Sequence, residues 1–140
     1  MGRVLTTAKI ENAGDLWAVR QGQTTDEDVR RITVDDALVD TGAKTLALPT
    51  RYIQELGLEK AYEKQATSSR GVGPVSVYEA VRLTLFDDRF CTVDVIEVPD
   101  DVPVLIGQIP LEMLDLVVDL QGRRLIGNPA HNGEQILELY

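Results

Sequence analysis

Asp40-Thr41-Gly42 ends the apolar run Ala37-Leu38-Val39 and is followed by Ala43-Lys44-Thr45-Leu46-Ala47-Leu48-Pro49. An apolar strand that closes on an acid, a hydroxyl and a glycine delivers one carboxylate into a turn, and the glycine leaves that acid uncrowded. Acid–base catalysis needs a proton donor or acceptor held rigidly beside the reacting atom, and a strand end supplies the rigidity. The tripeptide occurs once. Chemistry that needs two such acids therefore needs a second copy of the chain.

Other chemistries find less support. His131 is the only histidine and no His-Glu-x-x-His run is present, so a zinc hydrolase would lack ligands. His131 reads as an ordinary loop histidine. Asp35 and Asp36 occupy adjacent strand positions, which predicts opposite faces and a solvated strand start, not a metal site. Asp87-Asp88 and Asp100-Asp101 fall at turns, where Asp bonds nearby backbone. Ser68, Ser69 and Ser76 lack a nucleophile-elbow context, and Cys91 lies in a strand. Gly71-Val72-Gly73 leads into Pro74 and a strand instead of a helix, so it is no phosphate loop. Neither metal nor cofactor is expected.

The frame that must hold Asp40 is short. With 140 residues, 44% hydrophobic and 26% charged, the chain suits a single globular domain over residues 1–140. A net charge of −9 argues against nucleic acid and suits a neutral or cationic peptide. A lone cysteine and the absence of a signal-like start predict a cytoplasmic protein. No run approaches the ~18–20 apolar residues of a membrane span.

Short alternating segments between turn signals predict an all-β fold. Residues 3–10 and 15–21 are expected to form a hairpin turning at Asn12-Ala13-Gly14-Asp15, making 1–30 an N-terminal β-hairpin extension. Residues 24–28 read as a surface loop or one helical turn, and Arg31 to Val39 as the strand that ends at Asp40. A helix is predicted at 50–56, with Thr50 as its cap and Gly57 beyond its end. Val75, Val77, Val81, Leu83 and Leu85 share one strand face; Phe86 to Phe90 turns that strand into the next, at about 90–98. Pro110 suits the first position of a second short helix reaching about Leu116. A last hairpin joins 116–119 to 124–126.

The segment Asp40 to Pro49 resembles the active-site segment of aspartic proteases, Asp-Thr-Gly-Ser/Ala followed by Leu, another apolar residue and Pro. A second block, Val102-Pro103-Val104-Leu105-Ile106-Gly107, is similar to the family's apolar-apolar-Gly segment beside the catalytic strand. The separation of roughly 65 residues matches the single-domain retropepsin type. Between the blocks lies the glycine-rich Thr67-Ser68-Ser69-Arg70-Gly71-Val72-Gly73-Pro74, where the family carries a mobile flap.

The resemblance implies a closed, mostly antiparallel β-barrel with one or two short helices, active as a homodimer. It implies an aspartic endopeptidase, in which two Asp40 carboxylates share one proton and activate a water. Thr41 is expected to bond across the two-fold axis, Gly42 to offer its carbonyl to substrate, and Ala43 to continue the active-site loop. Leu38, Arg70, Gly71, Val72, Gly73, Leu105, Ile106 and Gly107 are expected around a peptide or unfolded-protein substrate, with hydrophobic side chains preferred beside the cut bond. One departure concerns charge: retroviral members carry an acid at Lys44 and an arginine at Gln108. The alternatives are a catalytically silent dimeric peptide-binding or assembly domain of the same fold, and a chain active only with a paralogue.

Overall fold

A computed structural model of the chain describes residues 3–68 and 71–138. Its elements are β1 (Val4–Asn12), α1 (Ala13–Arg20), β2 (Arg31–Val39), β3 (Leu46–Pro49), α2 (Thr50–Leu56), β4 (Glu59–Ser68), β5 (Gly71–Thr84), β6 (Phe90–Val98), β7 (Leu105–Ile106), α3 (Gln108–Met113), β8 (Leu116–Asp119) and β9 (Arg124–Gly127). The chain is mostly β, with three short α-helices where one or two are expected from sequence. Seven strands form one mixed sheet in the order β1-β2-β7-β3-β6-β5-β4, and β1 pairs with β5 as well. β2–β7 and β3–β6 are parallel; the other pairings are antiparallel. β8 and β9 make a separate hairpin.

Burial follows the alternation of side chains along each strand. Ile32 and Val34 point into the core from β2; then Ala37 and Val39 do so, one residue out of phase. The slip is a β-bulge, because β1 pairs Thr6 with Ala37 and Ala8 with Val34. Asp35 and Asp36 sit in that bulge and are both exposed, so they do not face opposite ways as a regular strand would require. The bulge also sets the phase in which β2 reaches Asp40. Ile10, Leu46, Leu48, Leu56, Leu83, Ile106 and Leu114 are fully buried in one cluster. Each such side chain contributes about 1.5–3 kcal/mol by leaving water.

The expected N-terminal hairpin is not formed. Residues 13–20 are helical, and β1 is integral to the sheet, paired with β2 and β5. The side chain of Asn12 decides this. Its Oδ1 accepts the Asp15 N–H at 3.0 Å, which caps α1. Its Nδ2 donates to the Leu56 carbonyl at 2.8 Å, satisfying an orphan group at the end of α2. Asp15 and Arg20 complement the two ends of the helix dipole.

Two further expectations shift. Thr50 does not cap α2: its hydroxyl donates to Glu97 Oε2 at 2.8 Å, and Asp100 Oδ1 accepts the Arg51 N–H at 2.9 Å instead. Gly57 does terminate that helix, at φ 64°. α3 begins at Gln108, so Pro110 is its third residue, and Leu116 already belongs to β8. Among the described residues no helix is long and apolar enough to cross a membrane.

Replacing Asn12 with Ala removes one helix cap and leaves a buried carbonyl unpaired. Urea denaturation should show a loss of about 2–4 kcal/mol.

Candidate active site

β2 carries the chain to Val39, and Asp40 begins a turn held at both ends by its neighbours. The Asp40 N–H donates to the Ile106 carbonyl at 2.9 Å, and the Ala43 N–H returns to the Asp40 carbonyl at 3.0 Å. The carboxylate is oriented as well, because the Gly42 N–H donates to Asp40 Oδ1 at 3.0 Å. A Cβ on Gly42 would stand 3.2 Å from that same oxygen. Asp40 is half-buried while Thr41 and Gly42 are exposed.

The rest of the turn hangs from the start of α3. Thr45, Ala43 and Lys44 offer their carbonyls to the N–H groups of Gly107, Gln108 and Ile109, at 3.0, 2.9 and 2.7 Å. Helix N-termini leave these donors unpaired, and here the turn takes them. That explains why α3 begins two residues ahead of Pro110 with no side-chain cap. Gly107 makes the approach possible: a Cβ there would meet Thr45 O at 2.6 Å and Ala43 O at 2.7 Å.

The two sequence blocks therefore meet. β7 lies between β2 and β3, with Leu38 opposite Leu105, Val39 opposite Ile106 and Leu46 opposite Ile106. Leu5, Leu38, Leu105 and Ala47 form a row across four strands, on the face toward which Asp40, two residues after Leu38, also points. Leu38 and Leu105 are half-buried, as lining residues would be. Ile106 is not: its side chain is wholly in the core, so it supports the row from beneath instead of lining it. Gly107 likewise acts through the loop and not through an exposed surface. Leu5, half-exposed, extends that row and was missed by sequence reading. Its only signal was the alternation of β1, hidden by assigning β1 to the wrong partner.

The expected flap is a hairpin of β4 and β5. Ser68, Thr67 and Ala66 pair with Gly71, Val72 and Gly73. Arg70 lies outside the described residues. Pairing of β5 with β6 starts at Val77, so residues 71–76 are paired with β4 and project beyond the sheet. Val72 is 72% exposed on that projection. At Gly71, φ is 103°, a backbone conformation that favours glycine.

Charges near the turn are sparse. Lys44 is exposed, and Gln108 Nε2 donates to Glu112 Oε1 at 3.2 Å within α3. A groove of about 640 Å³ opens beside Thr41, walled by Gln108, Met113, Val117, Ile136 and Leu137. A larger cleft of about 730 Å³ lies apart from Asp40, beneath α1. Its lining charges (Asp15, Glu59 and Glu79 against Arg20, Arg30 and Arg82) cancel. Cys91 is buried, which pushes its thiol up to about 11 and leaves it unreactive.

Behind the groove, Asp115 anchors the C-terminal segment from a left-handed backbone position, φ 55°. Its carboxylate accepts from Asn128 Nδ2 at 3.0 Å and the Ile136 N–H at 3.1 Å, and lies against His131 Nδ1. The buried Arg89 donates to the Leu114 and Asp115 carbonyls at 2.9 and 3.0 Å, and to Gly133. The bond with His131, then those from Asn128 and Ile136, hold the Asp115 carboxyl down at about 2.

Gly107→Ala should destabilise the fold by about 2 kcal/mol or more in urea titration, since backbone must move. Gly73→Ala, whose Cβ meets nothing within 4 Å, should stay within about 0.5 kcal/mol. Asp115 binds its proton less readily folded than unfolded, so its stabilising effect is present above the ordinary value of 3.8 and is lost as pH falls toward about 2. Unfolding free energies measured across that window should fall steeply in the native chain and less so in Asp115→Asn.

No family model matches the chain, and no curated protein is similar enough to count as a match.

Proposed function

We propose that the chain is a retropepsin-like aspartic endopeptidase, active as a homodimer in which each subunit contributes one Asp40. One observation carries the reading. Asp40 stands at a strand end with its backbone bonded to β7 and its Oδ1 fixed by Gly42, and the next two residues are exposed. A lone acid so carefully held, at an exposed turn, suits a site completed by a symmetry mate.

The frame supports it. The pairings β1–β2, β2–β7, β7–β3, β3–β6, β6–β5 and β5–β1 return to their start, and we read this ring as a closed barrel with β4 added outside. The β4–β5 hairpin is then the flap, and the row Leu5, Leu38, Leu105 and Ala47 the apolar floor. A substrate would lie between them as an added extended strand, with hydrophobic side chains at the cut bond.

In this reading two carboxylates close together hold one proton between them. The ionised acid takes a proton from water as the water oxygen bonds to the scissile carbonyl carbon. The protonated acid gives its proton to the carbonyl oxygen. Collapse of the resulting gem-diol breaks the C–N bond, the amide nitrogen receiving a proton from the same pair. Such a pair titrates as one unit and gives a bell-shaped rate profile on the acid side. An intact Asp-Thr-Gly favours catalysis over silent binding, since two facing acids are unfavourable unless used.

Asp40→Asn should lower peptide cleavage by at least about a thousandfold, with sedimentation and unfolding curves unchanged. Cleavage retained in that variant would overturn the assignment. A statine-type mimic should bind the native chain and not the variant.

A further inference from the structure

His131 ends the 3₁₀ turn Pro129–His131, and both of its ring nitrogens lie against carboxylates. Nδ1 is 2.5 Å from Asp115 Oδ2 and Nε2 is 2.7 Å from Glu138 Oε1. A neutral imidazole has one N–H and can donate to only one of them; the imidazolium donates to both. The two carboxylates come from different places. Asp115 is the buried junction of α3 and β8, and Glu138 belongs to the exposed C-terminal segment. Between them run Ile136 and Leu137, which wall the groove beside Thr41.

We propose that His131 is a pH-sensitive latch: as an imidazolium it fastens residues 134–138 along the groove beside Thr41, completing the face through which two copies pair. The proposal rests on the paired-acid reading of Asp40 and adds its regulation. The segment contributes to the mating face and does not block it, because a strap closing the groove would bury its apolar side chains. Instead Leu137 is 71% exposed and Ile136 46%, beside Met113 at 41%. Together they form an apolar rim next to the one turn that must meet its symmetry mate.

The surroundings set the direction. Asp115 at the α3–β8 junction, Glu112 on α3, and Glu134 and Glu138 on the segment are acidic. Arg89, the cation packed behind, is committed to the carbonyls of Leu114, Asp115 and Gly133 and stands 3.7 Å from Asp87. The bond to Asp115, then that to Glu138, raises His131 above its ordinary 6.5. The fastened form is therefore full below that value and is lost as pH rises through the raised one. Loss of the imidazolium also leaves the acids of two facing copies with less compensation.

The test uses the whole chain, native and with His131→Gln or Glu138→Gln, from about pH 5 to about pH 9. Sedimentation equilibrium reads pairing; hydrogen-exchange protection of the Ile136 amide, whose N–H donates to Asp115, reads the latch. In the native chain the dimer dissociation constant should rise about twofold to fivefold through a midpoint above 6.5, and Ile136 protection should fall with it. His131→Gln should remove both pH dependences, and Glu138→Gln, on the exposed segment, should lower the midpoint. A stable dimer whose pH dependence survives His131→Gln, or whose midpoint and Ile136 protection ignore Glu138→Gln, overturns the latch alone. A chain monomeric throughout overturns the paired-acid reading and the latch's role in pairing; Ile136 protection that ignores pH in that monomer overturns the fastening as well.

Discussion

The carbonyls of Ala43, Lys44 and Thr45 accept the first N–H groups of the α3 region, and much of the structure depends on that contact. A tight turn after a strand leaves carbonyls without partners, and a helix start leaves N–H groups without partners. Each answers the other's need, provided the two backbones come closer than any side chain permits. Gly107 grants that approach. The turn holding Asp40 is thereby tied to a helix and not left to its own short-range bonds. Rigidity at the carboxylate is inherited from the packing of Pro110, Leu111 and Leu114 in the core.

The same contact explains the mixed character of the sheet. β7 has only two residues, yet it bonds β2 on one side and β3 on the other, in opposite senses. It can be so short because Gly107 and α3 follow at once, so the donors that a longer strand would leave at its end are already taken. Strand, turn, strand and helix form one hydrogen-bonded unit around the acid.

Much of this was legible from residue order. The strand ending at Asp40, the helix at 50–56 closed by Gly57, the glycine hairpin and the last β-hairpin all carry local signals that their tertiary setting reinforces. The errors came where a side chain works at long range. Asn12 reads as a turn residue; that it caps one helix and satisfies the end of another depends on Leu56, which is distant in sequence. Thr50 reads as a cap, but Glu97 claims its hydroxyl. The bulge at Asp35-Asp36 depends on the register of β1 and has no signature of its own. Ile106 and Leu105 look equivalent in sequence, and only the sheet says which faces the core. His131 reads as an ordinary loop histidine until Glu138 is seen beside it.

β1 lies hydrogen-bonded on both flanks, to β2 just after it and to β5 much later in the chain. Its docking is thus the step that hides two strand borders at once. Until β5 exists, one flank of β1 has nothing to bond, and an unpaired border is a template for any other extended chain. A nascent or partly opened molecule would expose such borders in pairs, so the same strand that seals the fold also determines how readily separate molecules stick together before it is sealed.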